Sequence, residues 1–144
     1  MKARSGVSSN HPALHLNGAT VDITVQNGRI ASITPSQATA RAVILPLPID
    51  PHVHLDKAFT AQRVRPQNPG LFGAIEAMAQ DKSNWTDADI RARITQGLTE
   101  AHANGTAALR SHVDWVDPAM PLAWPIMAEL AQDWRGKITL HRAS

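Results

Sequence analysis

The chain has 144 residues, of which 43% are hydrophobic and 18% are charged, and its formal net charge is +2. This is enough apolar material for one ordinary domain with its own core. The sequence contains no cysteine, which excludes disulfides and thiolate metal sites, so any metal must be held by His, Asp, Glu or a modified Lys. We therefore expect a reducing, cytoplasmic setting.

The first residues carry Lys2 and Arg4 but no continuous apolar segment, and no run in the chain is long enough to span a membrane. We therefore expect a soluble, unsecreted protein with no membrane partner. The basic residues of QRVRPQ, residues 62–67, are neither interleaved with aromatic residues nor gathered on one helix face. Nucleic acid is for this reason not an expected partner.

The first predicted elements are two extended segments joined by a tight turn. Residues 21–25, VDITV, alternate apolar and polar side chains, and residues 29–33, RIASI, form a second extended piece. Asn27-Gly28 between them is typical of a two-residue hairpin. The sequence therefore predicts a small β-hairpin.

The residues before this hairpin include two histidines. His11 and His15 fall in a segment that we expect to be mobile. We therefore assign them no functional role.

The organisation changes near residue 43, where the hairpin gives way to α/β units. The segment VILPLPID, residues 43–50, predicts a buried strand, but Pro46 and Pro48 forbid an ordinary central strand there. The strand proper is therefore expected to begin near Ile49. The predicted division is a β segment at residues 1–42 and the α/β units at residues 43–144.

Two helices are predicted after this strand. In LFGAIEAMAQDK, which starts at Leu71, apolar residues recur at helical spacing. The second helix begins after the N-cap Thr86 and ends at Asn104-Gly105. The predicted apolar faces are Leu71, Ile75 and Met78 in the first helix, and Ile90, Ile94, Leu98 and Ala101 in the second.

The remaining elements continue the alternation of strands and helices. TAALRSHVDW, residues 106–115, predicts a strand, PLAWPIMAELAQDW, residues 121–134, predicts a helix, and KITLH, residues 137–141, begins another strand. This order is typical of a parallel sheet, and here it stops in mid-pattern. The apolar face of the last helix is formed by Trp124, Met127, Leu130 and Trp134.

Two histidines, His52 and His54, lie one residue apart in the strand that follows the prolines. Residues i and i+2 of a strand point to the same face, so both imidazoles can reach one ion. An H-x-H pair is a weak signal by itself, and its context must carry the argument. That context is an apolar strand, Asp50 and Pro51 before the pair, and LDK immediately after it.

The stretch LPIDPHVHLDKAFT, residues 47–60, resembles the first barrel strand of the amidohydrolase superfamily, in particular its cytosine deaminase-like branch, which includes isopropylammelide-type amidohydrolases. GLFGAIEAMAQDK, WTDADIRARITQGLTEAHANGTAALRSHVD and the final ITLH follow in the family's order. The resemblance covers residues 18–144. It implies an α/β fold, the N-terminal part of a metal-dependent TIM-barrel hydrolase, preceded by a small segment of a composite β-sandwich domain. A whole barrel needs about 250 residues, so we expect an incomplete one here.

The resemblance also assigns roles to individual residues. It makes His52 and His54 the first two ligands of one divalent metal ion, Zn or Fe, and His ligation does not choose between these metals. Leu71 matches a residue that lines the substrate pocket. The family's other ligands and its acid and base residues come from later strands, so no catalytic residue is assigned in this chain.

The implied reaction is hydrolysis of a C–N bond in a cyclic amidine or amide, a small nitrogen heterocycle. A divalent ion lowers the pKa of water from about 16 toward about 7, which makes a nucleophile available at neutral pH. A carboxylate then moves a proton to the leaving nitrogen. We expect the chain alone to be inactive and prone to associate, because its sheet is open. We also expect that the full-length protein can form a homo-oligomer.

Two alternatives remain open at this point. A hydantoinase or dihydroorotase-like amidohydrolase shares H-x-H but uses a modified Lys, from a later strand, between two metals. A non-enzymatic small α/β protein would carry the histidines for structural reasons or bind metal adventitiously.

Four other residues have two interpretations each. His112 and Asp114 share a strand face and fit either an outer role around the metal site or a structural role at the strand end. Asp56 and Lys57 fit either contact with substrate or a solvated loop.

Overall fold

The computed structural model describes residues 8–144, so Lys2 and Arg4 lie outside the described residues. The chain forms two compact units that divide between Pro46 and Leu47. The sequence places the change near residue 43, and in the structure a short strand at Ala42–Val43 still belongs to the first unit.

The first unit is a four-stranded β-sheet. Its strands are β1 (Ser8–Leu16), β2 (Ala19–Gln26), β3 (Arg29–Pro35) and β4 (Ala42–Val43). The order is β3-β2-β1-β4; the β1–β2 and β2–β3 pairs are antiparallel, and β4 is parallel to β1. The hairpin predicted at Asn27-Gly28 is confirmed, and both residues have the positive φ that a tight two-residue turn requires.

The strand β1 contradicts the prediction of a mobile segment, because both His11 and His15 lie within it. Its sequence contains Pro12 and alternates poorly, and a bulge interrupts its pairing with β2 after His11. Ala13 is buried in this bulge with φ 55°, and its N–H donates to Asp22 Oδ1 at 2.8 Å. This hydrogen bond lowers the pKa of the Asp22 carboxyl. The strand is therefore stabilised by partners on β2, which its own pattern does not reveal.

The second unit is a mixed α/β arrangement with three strands and three helices. The strands are β5 (Ile49–Val53), β6 (Ala108–His112) and β7 (Thr139–Ala143), and the helices are α1 (Gly70–Lys82), α2 (Asp87–Ala103) and α3 (Ala123–Asp133). The sheet order is β5-β6-β7 and both pairings are parallel. The predicted alternation of strands and helices around a parallel sheet is confirmed.

The core of the second unit joins α2 and α3 to β6, β7 and the segment after β5. The predicted face of α2 is confirmed, since Ile90, Ile94 and Leu98 are almost completely buried. The helix begins where Thr86 Oγ1 accepts the Asp89 N–H at 3.2 Å. None of the helices in residues 8–144 has the length and hydropathy needed to cross a bilayer.

The helix α1 lies where the sequence places it, but the prediction of its buried face is wrong. Leu71 and Ile75 are 71% and 45% exposed, whereas Gly73, Ala77 and Asp81 are buried. A Cβ at Gly73 would lie 1.9 Å from the carbonyl oxygen of Asn68, so the helix approaches that backbone very closely. Small residues therefore form its packed side.

The strand β5 begins at Ile49 as predicted, but the prediction that this segment is buried is wrong. Leu47 and Ile49 are 63% and 67% exposed. Among residues 8–144, β5 pairs only with β6, so it is an edge strand. Its apolar side chains remain uncovered for that reason.

Candidate functional site

The parallel register brings three histidines together at the carboxyl ends of β5 and β6. The Nε2 atoms of His52 and His54 are 3.4 Å apart. The ring of His112 stacks on that of His52, with centroids 4.0 Å apart and planes inclined by 23°. The structure therefore places the two predicted histidines side by side and adds His112 as a direct neighbour.

The separation of the two Nε2 atoms fits shared ligation of one metal ion. Nitrogen ligands lie about 2.0–2.1 Å from zinc, and two of them on a tetrahedral ion are about 3.4 Å apart. A backbone-type N–H hydrogen bond is usually shorter, at about 2.9–3.0 Å. Within residues 8–144, however, no group of three or more His, Cys, Asp or Glu side chains is arranged to hold a metal ion. The described residues thus offer two nitrogen donors here, fewer than a protein metal site needs.

The environment of His54 favours the neutral imidazole. Burial, and then the charge of Lys57, lower the pKa of this ring. A neutral ring is the form that binds a metal. The Nδ1 atom of His54 is buried and has no hydrogen-bond partner in the described part of the chain, whereas ligating histidines usually donate from their second nitrogen. The outer contacts of this ring are thus also incomplete.

The residues after the histidine pair are not a solvated loop, so that interpretation of Asp56 and Lys57 is wrong. Asp56 is only 4% exposed, and burial raises the pKa of its carboxyl. Lys57 forms an ion pair with Asp114, which follows β6. The Asp56 side chain is therefore buried, and the Lys57 side chain is paired with the segment that follows β6.

Backbone contacts also hold the segment that contains the histidines. Asp50 Oδ1 accepts the N–H of His52 at 3.1 Å, and Ser111 Oγ accepts the N–H of Leu55 at 3.0 Å. Ser111 is fully buried, and Leu55 belongs to the core. Sequence reasoning missed Ser111, because a lone serine in a strand carries no signal of a contact with a distant segment.

Comparison with known proteins shows which enzymes this chain resembles. The chain is 32% identical over 130 residues to a pterin deaminase of Rhizobium rhizogenes (strain K84), a match that covers 83% of this chain and 30% of that protein. It resembles the crystal structure of 5-methylcytosine deaminase from Klebsiella pneumoniae with 5-fluorocytosine bound, with a TM-score of 0.77 and 25% identity over 94% of this chain and 35% of that one. The chain is similar to deaminases of the amidohydrolase superfamily.

A further solved structure has a similar fold. N-isopropylammelide isopropylaminohydrolase from Burkholderia multivorans matches with a TM-score of 0.66 and 21% identity, over 95% of this chain and 37% of that one. No model of a known protein family matches the sequence. The chain spans about a third of the length of the relatives that it matches. The resemblance predicted from LPIDPHVHLDKAFT is confirmed at the level of the superfamily.

The second unit contains a cavity of about 240 Å³ next to the residues that follow the histidine pair. Asp56, Lys57 and Asp114 line it at the ends of β5 and β6, and Trp85 and Met120 are among its apolar walls. Ligand pockets are usually larger, about 300–1,000 Å³. This cavity is therefore small for a complete substrate site.

Leu71, the predicted pocket residue, lies in the first turn of α1 and is largely exposed. It is not among the residues that line this cavity in the described chain. Its role in substrate binding stays a prediction.

Proposed function

We propose that this chain supplies the first strands of a (β/α)8 barrel in a metal-dependent amidohydrolase that hydrolyses a C–N bond of a small nitrogen heterocycle. The observation that carries the proposal is the pair of Nε2 atoms, 3.4 Å apart, at the carboxyl end of a parallel strand. Barrel active sites lie at this end of the sheet. Similarity to deaminases of the amidohydrolase superfamily supports the same reaction class.

In this proposal His52 and His54 hold one divalent ion, Zn or Fe. Such an ion, when bound, lowers the pKa of water toward about 7 and supplies a nucleophile at neutral pH. The lowered pKa of His54 keeps its ring in the neutral form that ligation requires. The other ligands and the groups that move protons lie outside this set of residues. The chain alone is therefore proposed to be inactive.

The relatives guide the choice of substrate. They include a pterin deaminase and a 5-methylcytosine deaminase, and an enzyme that acts on N-isopropylammelide. We propose an amino-substituted heterocycle as the substrate and expect pterin to be the first compound to test, because the pterin deaminase has 32% identity to this chain. Leu71 is proposed to contact this substrate.

The test uses the product of the complete reading frame that contains this chain, loaded with Zn²⁺ or Fe²⁺. Ammonia release is measured with pterin, cytosine and 5-methylcytosine, and isopropylamine release with N-isopropylammelide. We expect metal-dependent turnover of at least one compound. His52→Ala and His54→Ala should lower kcat/KM by about 100-fold or more, beyond what loss of an outer contact costs.

A matched control is His102→Ala, which removes an exposed histidine from the last turn of α2. This variant should keep its activity and its metal content. Turnover that survives removal of the metal, or a His52→Ala variant that keeps both metal and activity, would contradict the proposal. Two bound metals per chain together with activity on hydantoin or dihydroorotate would support the alternative with a modified Lys, and neither metal nor activity would support a non-enzymatic protein.

A further inference from the structure

The end of β6 and the residues after it contact the histidine segment at three points. The ring of His112 stacks on His52, the Oγ of Ser111 accepts the Leu55 N–H, and Asp114 forms an ion pair with Lys57. The residues on the β6 side lie within four consecutive positions, 111–114. One short segment therefore contacts the chain both before and after His54.

We propose that this segment positions the metal-binding pair: His112 fixes the ring plane of His52 by stacking, and Asp114 fixes the chain after His54 through Lys57. The inference rests on the proposed function, because it concerns the two histidines of the proposed metal site. In this inference His112 and Asp114 lie around the metal site and position its ligands, and they do not bind the metal themselves.

The geometry of the stack separates His112 from the ligands. The lone pair of a neutral imidazole nitrogen lies in the plane of the ring. The planes of His112 and His52 are nearly parallel and face each other at 4.0 Å, so their lone pairs point side by side and do not converge. The rings of His52 and His54 are inclined by 51°, and their Nε2 atoms approach each other. Only the second arrangement suits a shared ion.

The Lys57–Asp114 ion pair has the exposure expected of a positioning contact. The side chains are 19% and 45% exposed, and the hydrogen bond from Lys57 lowers the pKa of Asp114. Ion pairs this close to solvent contribute little to stability. The effect of breaking the pair should therefore be seen in metal binding rather than in the unfolding temperature.

The first experiment separates stacking from ligation by means of His112. The metal-free product of the complete reading frame is titrated with Co²⁺ against a chelating dye, and the visible absorption of the bound Co²⁺ reports its coordination. We expect His112→Ala to weaken Co²⁺ binding by about tenfold, the size of an outer-contact effect, and to broaden the absorption band. His112→Phe keeps a flat ring without nitrogen and should restore binding close to that of the unsubstituted protein.

The second experiment breaks the ion pair and then reverses it. Asp114→Asn should weaken Co²⁺ binding by up to about tenfold, with the unfolding midpoint of the metal-free protein unchanged. The reversed pair Lys57→Asp with Asp114→Lys should recover part of this loss. Asp133→Asn makes the same charge change at the exposed end of α3 and should have no effect on binding.

The outcomes distinguish this inference from the proposed function. If His52→Ala leaves Co²⁺ binding unchanged, the proposed metal site fails, and the positioning role fails with it. If His52→Ala abolishes binding while His112→Ala and Asp114→Asn leave affinity and absorption unchanged, only the positioning role is overturned. If His112→Phe binds as weakly as His112→Ala, the stacking argument is overturned and the His112 nitrogen is required.

Discussion

Asp89, in the first turn of α2, lies between two guanidinium groups. Arg93 donates to Oδ2 from Nε and Nη2 at 3.1 and 2.9 Å, and Arg63 donates to Oδ1 from Nη1 at 2.6 Å. Burial alone would raise the pKa of this carboxyl, but the hydrogen bonds from Arg93 and Arg63 outweigh burial, and the pKa lies below its usual value. The helix dipole favours the same charged form.

This depressed pKa predicts a loss of stability in acid. The unfolded-state pKa of Asp is about 3.9, so the stabilisation is fully present above that pH and is lost as the pH falls through the lower folded-state pKa. We expect the free energy of unfolding to decrease below about pH 4. Asp89→Asn should reduce this slope and destabilise the fold at neutral pH by about 1 kcal/mol.

Urea unfolding at a series of pH values measures both effects. All four tryptophans lie in the second unit, so their fluorescence follows the unit that contains Asp89. Asp87→Asn is the control, since it removes a charge from the same helical turn at a residue with no ion pair in the described part of the chain. Identical acid slopes for Asp89→Asn and the unsubstituted protein would contradict the prediction.

At the scale of single elements, the sequence predicts what is encoded locally. The start of α2 at Thr86 and its end before Gly105 follow from capping chemistry within a few residues, and the structure confirms both. The strand β1 could not be predicted in this way, because the partners of its bulge lie on β2. The apolar residues of α1 predict a helix face that packs against other residues. The pattern does not show whether those residues belong to this chain.

In the candidate site, too, local contacts can be predicted from the sequence and contacts between strands cannot. His52 and His54 are neighbours because of the two-residue period of a strand, which can be read from the sequence. The stack of His112 on His52 depends on the register between β5 and β6, and the contact of Ser111 with Leu55 depends on the same register. No local pattern encodes that register, so the sequence could not predict that His112 lies next to His52.

The close packing of α1 can be tested by comparing alanine substitutions at two helical glycines. A Cβ at Gly73 would meet the Asn68 carbonyl oxygen at 1.9 Å, whereas a Cβ at Gly97 in α2 would meet Leu55 Cδ2 at 2.8 Å. Alanine gains about 1 kcal/mol of helix propensity at either position. The end of a leucine side chain can rotate away, but a backbone carbonyl cannot do so without moving the chain.

We therefore expect Gly73→Ala to destabilise the second unit by about 2 kcal/mol, and Gly97→Ala to change its stability by less than about 1 kcal/mol. Thermal unfolding followed by circular dichroism and tryptophan fluorescence compares the two variants. Equal unfolding midpoints would show that α1 does not pack against the Asn68 backbone as closely as described.

At the scale of the whole molecule, both units leave apolar surface uncovered. In residues 8–144 the exposed large side chains include Ile33, Ile49, Phe72 and Val116. Among these residues, β5 and β7 each have a free edge, and exposed strand edges are templates for pairing with another chain. The relatives are about three times as long as this chain, so they have further residues with which to cover such surfaces.

These features predict that the 144-residue chain studied alone self-associates. Sedimentation velocity over a micromolar concentration series should show a sedimentation coefficient that rises with concentration. Ile49→Lys places a charge on the free edge of β5 and should suppress this rise, because charged residues on edge strands oppose pairing. Val116→Lys adds the same charge at an even more exposed apolar residue outside any strand, and it should have a smaller effect. A concentration-independent monomer would show that the uncovered surfaces do not drive association, and equal suppression by both variants would assign it to net charge rather than to the edge of β5.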